Sequence, residues 1–287
     1  MSQTARIALI TGATSGIGRA TAEALAGQGL TVVLVARDPQ KGRTVLDEIK
    51  ARTGRGSHDL LVADLSSQAS IRELAATYKS RYDRLHVLVN NAGGFFSGRR
   101  TTVDGLELTF AFNHLAYFLL TNLLLDRLRA GAPARIVNVS SEAQAMTGLN
   151  FDDLQGERRY DGQRAYSQSK LANVVFTYAL ARRLAGSGVT ANAVHPGVVR
   201  TSFGRENPSL IFRLLFPLID PFMLTPEKGA ATPVYLATSA EIEGVSGQYF
   251  ANRKPKRSNP VSYDLGVQER LWEVSARLTH FSSGDRS

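Results

Sequence analysis

Tyr166 and Lys170 stand four residues apart in a stretch that reads as helix, so both side chains lie on one face. A free phenol, with a pKa of about 10, is a poor base at neutral pH, and a neighbouring ammonium favours the tyrosinate. Such a pair could exchange a proton with an alcohol or carbonyl oxygen. Taken alone, it reads first as a surface helix pair. Ser141 closes an apolar, strand-like run and could hydrogen-bond the same oxygen, or it could cap a turn beside Ser140. Asn113 interrupts an apolar segment, where an amide must find a partner, in the core or in a site.

A second cluster of small residues has the character of an anion cradle. Thr11-Gly12-Ala13-Thr14-Ser15-Gly16-Ile17-Gly18 joins an apolar run to an alanine-rich helical one. Gly12, Gly16 and Gly18 would let the backbone turn sharply, and the turn at Thr14, Ser15 and Ile17 would offer N–H groups and a helix dipole to a pyrophosphate. The spacing departs from the common G-x-G-x-x-G pattern. Ala36 ends the next apolar run, where an acid would hold a free ribose 2′-OH, and Arg37 follows. A guanidinium there pairs with a 2′-phosphate, which favours NADP(H) over NAD(H). Arg19 is a second candidate for that phosphate. Asp64-Leu65 and Asn91-Ala92-Gly93 close two further runs, where an adenine edge and a ribose could pass.

These residues need a scaffold, and the pattern supplies one. Strands are predicted at Ile7–Thr11, Val32–Val35, Leu60–Asp64, Val87–Asn90, Ile136–Ser140, Val189–His195 and Gly247–Phe250. Helices are predicted at 18–28, 39–53, 67–82, 106–128, 166–185 and 226–237. Alternation of this kind implies an α/β fold, a Rossmann-type doubly wound parallel sheet of about seven strands with helices on both faces. No repeat or linker divides the chain, so residues 1–287 are expected to form one domain. The long irregular stretches 142–164 and 198–225 each follow a strand's carboxyl end and are expected to form a substrate-side insertion and a substrate-side flap.

Composition narrows the chemistry. The 287 residues include no cysteine, which excludes disulfides, thiolate metal sites and Cys nucleophiles. Histidines 58, 86, 114, 195 and 280 show no ligand spacing, and no metal is expected. The net charge of +9, from 34 basic and 25 acidic residues, is scattered, without interleaved aromatics, so no nucleic-acid partner is expected. No signal peptide or membrane span is read. Glu107, Asn113, His114 and Asn122 interrupt the apolar run 106–125, and the apolar 210–224 stretch leaves peripheral membrane contact open. The expected location is cytoplasmic.

Taken together, these residues resemble the classical short-chain dehydrogenases/reductases. The resemblance rests on Thr11-Gly12…Gly16…Gly18, Asn90 to Gly93, Asn113, Ser141, Tyr166-Ser167-Gln168-Ser169-Lys170 and Pro196-Gly197. Within that family the retinol-dehydrogenase-like branch is most similar, through Phe112 to Leu115, Leu119 to Leu124, Arg135 to Ser141, Tyr166 to Asn173 and Val194 to Val199. The resemblance implies that Tyr166 is the general acid/base, that Lys170 tunes it and holds the nicotinamide ribose, and that Ser141, the second serine of its pair, orients the substrate oxygen. It implies that Asn113 holds a water leading from Lys170, and that Val198 and Thr201, beyond Pro196-Gly197, hold the carboxamide. The implied activity is NADP(H)-dependent interconversion of a carbonyl and an alcohol. Phe95 and Phe203, with Phe96, Phe212, Phe216 and Phe222, would line an apolar pocket for a hydrophobic aldehyde, ketone or alcohol, or would pack the flap. A homodimer or homotetramer is in keeping with the family, and a monomer stays open. The alternative is a catalytically silent NADP-binding regulator on the same fold.

Overall fold

The computed structural model describes residues 6–199 and 224–282. In chain order the elements are β1 (Ile7–Thr11), α1 (Gly16–Gly27), β2 (Thr31–Ala36), α2 (Pro39–Thr53), β3 (Asp59–Val62), α3 (Gln68–Arg81) and β4 (Val87–Asn90). Then come α4 (Leu108–Phe110), a π turn (Ala111–Leu115), α5 (Ala116–Leu123), α6 (Leu125–Ala130), β5 (Ala134–Val139), α7 (Gly162–Arg183) and β6 (Val189–His195). The last are α8 (Pro226–Thr238), β7 (Tyr249–Ala251), β8 (Lys254–Pro255) and α9 (Leu265–Leu278).

The sheet order is β3-β2-β1-β4-β5-β6-β7-β8, parallel through β7. The strands are apolar without alternation because both faces are covered. Ala8, Ile10, Val32, Leu34, Val87 and Val89 meet Leu25 of α1, Leu46 of α2 and Leu236 of α8. Their neighbours Leu9, Val33, Val35 and Leu88 face Leu74 of α3, Phe118 of α5 and Phe176 of α7 on the other side.

Several details differ from the sequence-based expectation. The sheet has eight strands where about seven were expected. The eighth, β8, pairs antiparallel with β7 across a two-residue turn at Asn252 and Arg253, whose φ values of 49° and 59° fit a hairpin that follows the sheet's twist. The predicted helix 106–128 is broken by the π turn and again at Leu124. The helix at Tyr166 begins at Gly162, because the Asp161 side chain accepts the Arg164 N–H at 2.7 Å.

A C-terminal helix, not anticipated from the sequence, packs across α5 and α7. Trp272 of α9 meets Phe118 and Phe176 at ring-centre distances of 5.0 and 5.8 Å, and the Arg183 guanidinium lies 4.0 Å from its ring centre. Helices α5 and α7 thus carry a helix of their own chain.

Among the described residues no helix is long and apolar enough to cross a membrane.

Candidate active site

The order in which strands are added reverses at β1, which pairs in parallel with β2 on one side and β4 on the other. The loops leaving β1 and β4 therefore part and open a crevice at the strands' carboxyl ends. Thr11 and Asn91 stitch its floor. The Thr11 hydroxyl accepts the N–H groups of Asn91 (2.8 Å) and Ala92 (3.0 Å), and the Asn91 amide donates to the Thr11 carbonyl at 2.9 Å. Gly12 has φ +65°, and a Cβ there would lie 2.9 Å from the Ala92 Cα. A Cβ on Gly18 would lie 2.3 Å from the Gly12 carbonyl oxygen. Neither position has room for another residue.

The turn Thr14-Ser15-Gly16-Ile17 leads into α1, whose N-cap Ser15 makes no side-chain capping bond. By contrast α2, α3, α7, α8 and α9 begin on a side chain that accepts a backbone N–H. The first N–H groups of α1 are left for a ligand. The glycine-lined approach and the uncapped helix fit the pyrophosphate of a dinucleotide.

At the end of β2 the Arg37 guanidinium is exposed and has no ion-pair partner among the described residues. Its neighbour Asp38 is spent on α2, accepting the N–H groups of Gln40 and Lys41. Arg19, the second candidate, is engaged by Glu23 at 2.8 Å and by Glu48. Beyond β3, Asp64 is exposed and accepts both the N–H and the hydroxyl of Ser66, while Leu65 turns into the core.

The chemical residues converge at the ends of β4, β5 and α7. The Ser141 hydroxyl is hydrogen-bonded to the Tyr166 phenol. That of Ser140 is buried and donates to the Lys170 carbonyl at 2.7 Å, so the second serine of the pair faces the tyrosine. Lys170 Nζ donates to the Val139 carbonyl at 3.3 Å and lies 5.7 Å from the centre of the Tyr166 ring. Gly93 keeps the space between Lys170 and Asn113 open, since a Cβ there would sit 3.3 Å from Nζ and 3.2 Å from the Asn113 Oδ1.

Asn113 spends its amide on protein partners. It donates to the Gly94 carbonyl (2.9 Å) and the Ser169 hydroxyl (3.0 Å), and its Oδ1 accepts the Gly94 N–H at 2.8 Å. The side chain clamps the loop after β4. That loop carries Phe95, whose ring meets the Tyr166 ring edge-on with centres 6.0 Å apart. Tyr160, from the 142–164 insertion, donates to the Phe96 carbonyl at 3.0 Å and fixes the same loop from outside.

Burial dominates the electrostatics. It pushes the Tyr166 hydroxyl up to about 12, against the bond from Ser141, and pulls the Lys170 ammonium down to about 8. The expectation that Lys170 chiefly makes Tyr166 more acidic meets a stronger opposing effect, the desolvation of a half-buried phenol beside a buried ammonium. At neutral pH the phenol is therefore a proton donor.

Pro196 and Gly197 follow β6. Gly197 has φ +92°, and a Cβ there would lie 2.5 Å from Leu224. Val198 is exposed, and its carbonyl accepts the Leu224 N–H at 2.8 Å, which joins the two ends of the 198–225 stretch. Thr201 and Phe203, with the remainder of the expected flap, lie outside the described residues.

Sequence reasoning passed over His114, Asn173 and Tyr117. His114 and Asn173 are fully buried and hydrogen-bonded to each other. The Tyr117 hydroxyl is buried without a partner among the described residues, and its ring centre is 6.0 Å from Lys170 Nζ. For His114 the signal was a polar residue inside an apolar run, one of those that argue against a membrane span, and both His114 and Asn173 lie in segments that carry the family resemblance. His58 and His86 serve the fold, accepting the N–H groups of Val32 and Ile7.

Comparison with known proteins agrees with this geometry. Residues 6–209 match the short chain dehydrogenase family. Retinol dehydrogenase 12 of Homo sapiens is 44% identical over 273 residues, covering 95% of this chain and 86% of that protein. A solved putative uncharacterized protein from Mycobacterium paratuberculosis superposes with a TM-score of 0.76 at 34% identity, over 96% of this chain and 93% of the other. The Pseudomonas aeruginosa RhlG/NADP active-site complex gives a TM-score of 0.69 at 29% identity, over 87% and 95%. A nicotinamide cofactor and oxidoreductase chemistry on CH–OH groups follow from this kinship. The chain belongs to the short-chain dehydrogenase family, in its retinol-dehydrogenase-like branch.

Proposed function

We propose that this protein is an NADP(H)-dependent reductase of hydrophobic aldehydes or ketones, working reversibly on the corresponding alcohols. The observation that carries the reading is the Ser141–Tyr166 hydrogen bond with Lys170 Nζ beside the same ring, at the mouth of the glycine-lined crevice. The dinucleotide, when bound, supplies or accepts the hydride. Gly12, Thr14, Ser15, Gly16, Ile17 and Gly18 would hold its pyrophosphate, Asp64 and Leu65 its adenine, and Asn91, Ala92 and Gly93 its ribose. Pro196, Gly197, Val198 and Thr201 would hold the nicotinamide end. Tyr166 hands its proton to the substrate oxygen in reduction and retrieves it in oxidation. Ser141 orients that oxygen and stabilises charge developing on it. Lys170 holds the ribose hydroxyls and steadies the tyrosinate. Asn113 holds the loop that presents Phe95, and its water-binding role belongs to this proposal too.

The preference for NADP(H) is supported by Arg37, which has no ion-pair partner among the described residues, and by an Asp38 side chain committed to its own helix. The RhlG relative was solved with NADP. A hydrophobic substrate is supported by the Phe95 ring against Tyr166 and by a 44% identical relative named for retinol, a long apolar alcohol.

The test is oxidation of NADPH and of NADH with a panel of lipophilic aldehydes and ketones. Turnover on apolar aldehydes with NADPH preferred is expected. NADPH binding without turnover on any member would contradict the proposal and favour a silent regulator.

A further inference from the structure

The π turn after α4 places two polar residues side by side in an apolar helix, and they point to different tasks. Asn113 turns to the loop after β4. His114 turns into the core between α7 and α9, wholly buried, with the Phe110 and Phe176 ring centres at 5.0 and 6.0 Å. Its Nδ1 lies 3.2 Å from the Asn173 Oδ1 and its Nε2 2.9 Å from the Ser275 hydroxyl of α9.

The directions of these bonds are fixed by what each group can give. The Asn173 amide nitrogen donates to the Asn113 carbonyl at 2.9 Å and towards the Val139 carbonyl at 3.4 Å. Its oxygen is therefore the atom facing His114, and it can only accept. The imidazole must carry its proton on Nδ1, which leaves Nε2 to accept from Ser275. Burial holds the ring neutral by pulling it down to about 4. A single ordered run of donors follows, from Ser275 through His114 and Asn173 to the carbonyls of Asn113 and Val139.

Its last acceptor is shared with the reaction centre, because Val139 O also receives the Lys170 ammonium at 3.3 Å. Were the Asn173 amide to turn over, its oxygen would face two carbonyl oxygens beside that ammonium. The Nδ1 proton of His114 opposes that inversion.

We propose that His114 is a positioning residue, locking the Asn173 amide so that the Val139 carbonyl holds Lys170 beside Tyr166. The inference rests on the reading of Tyr166 and Lys170 as the proton-handling pair. Ser275 extends the lock to the C-terminal helix, which makes α9 part of the site's support.

The test compares His114→Leu, which removes the donor, with His114→Asn, whose amide nitrogen sits where Nδ1 was. Ser275→Ala releases the far end. Each full-length variant is read by kcat, by NADPH Kd and by the NMR signal of the Lys170 side chain in protein labelled at lysine Cε, assigned with Lys170→Met. In His114→Leu, kcat is expected to fall about tenfold, with NADPH Kd held within about twofold and the Lys170 signal displaced. His114→Asn should restore kcat and signal towards wild type. If His114→Leu does not fold, Ser275→Ala gives the deciding reading, a displaced Lys170 signal with NADPH affinity kept. Equal kcat and an unmoved Lys170 signal across the folded variants would overturn the proposal. A wild type that turns over no carbonyl would count against the functional reading instead. The Lys170 signal alone then decides the positioning role, displaced and rescued in its favour, unmoved against it.

Discussion

Lys170 Nζ lies 5.7 Å from the centre of the Tyr166 ring, with the lysine buried and the tyrosine half-buried. A buried ammonium opposes folding. Its folded value, about 8, is below the ordinary 10.5, so the penalty is fully present below pH 8 and is relieved as pH rises towards 10.5. Lys170→Met is therefore expected to stabilise the protein at pH 7 by roughly 1–3 kcal/mol while removing most turnover. Thermal unfolding at pH 7 and pH 10 checks this. A variant less stable than wild type at pH 7 would contradict it.

The same pair sets opposite pH profiles for the two directions. Reduction uses the protonated phenol, held up to about 12, and an ammonium that steadies the tyrosinate left behind. Reductive kcat should be flat below about pH 8 and fall above it, as Lys170 loses its charge. Oxidation needs the tyrosinate and should rise with pH. Initial rates in both directions between about pH 6 and 10 test this, and a reductive rate that climbs above pH 8 would speak against it.

Arg37→Ala should weaken NADPH binding by about 10- to 100-fold and leave NADH within about twofold, the loss of one charge-assisted contact to a 2′-phosphate. Fluorescence titration with each cofactor measures both. Equal losses for the two would remove Arg37 from the preference.

Gly18→Ala forces a Cβ to 2.3 Å from the Gly12 carbonyl and 2.4 Å from the Asn91 amide. Because a backbone atom cannot move aside cheaply, it should destabilise by roughly 1–3 kcal/mol and blunt the rise in Tm that NADPH confers on wild type. Gly27→Ala, in the same helix with nothing within 4 Å, is the control and should be neutral or slightly stabilising.

The parts of this molecule that announce themselves are those in which residue type does the work. Apolar runs mark β1, β2 and β4, runs broken by Arg135, Asn138, Thr190 and Asn192 still mark β5 and β6, and glycines mark the turn before α1. The Tyr166–Lys170 spacing needs only one helix to be meaningful. What stayed hidden depends on tertiary partners. A π turn has no propensity signature, and its place at Ala111–Leu115 is clear only when the bonds from Asn113 and His114 to the loop after β4, α7 and α9 are seen. The protonation preferences of Tyr166 and Lys170 follow from burial, which spacing does not reveal. Arg19 and Arg37 look alike in sequence, but Glu23 and Glu48 are close to one and not to the other.

The most direct measurement is reductive kcat and NADPH Kd for Tyr166→Phe, which removes one oxygen and keeps the ring against Phe95. A fall in kcat of about 10²- to 10⁴-fold with Kd unchanged is predicted. Turnover near that of wild type would show that another group moves the proton, and the account built on Tyr166 would be wrong.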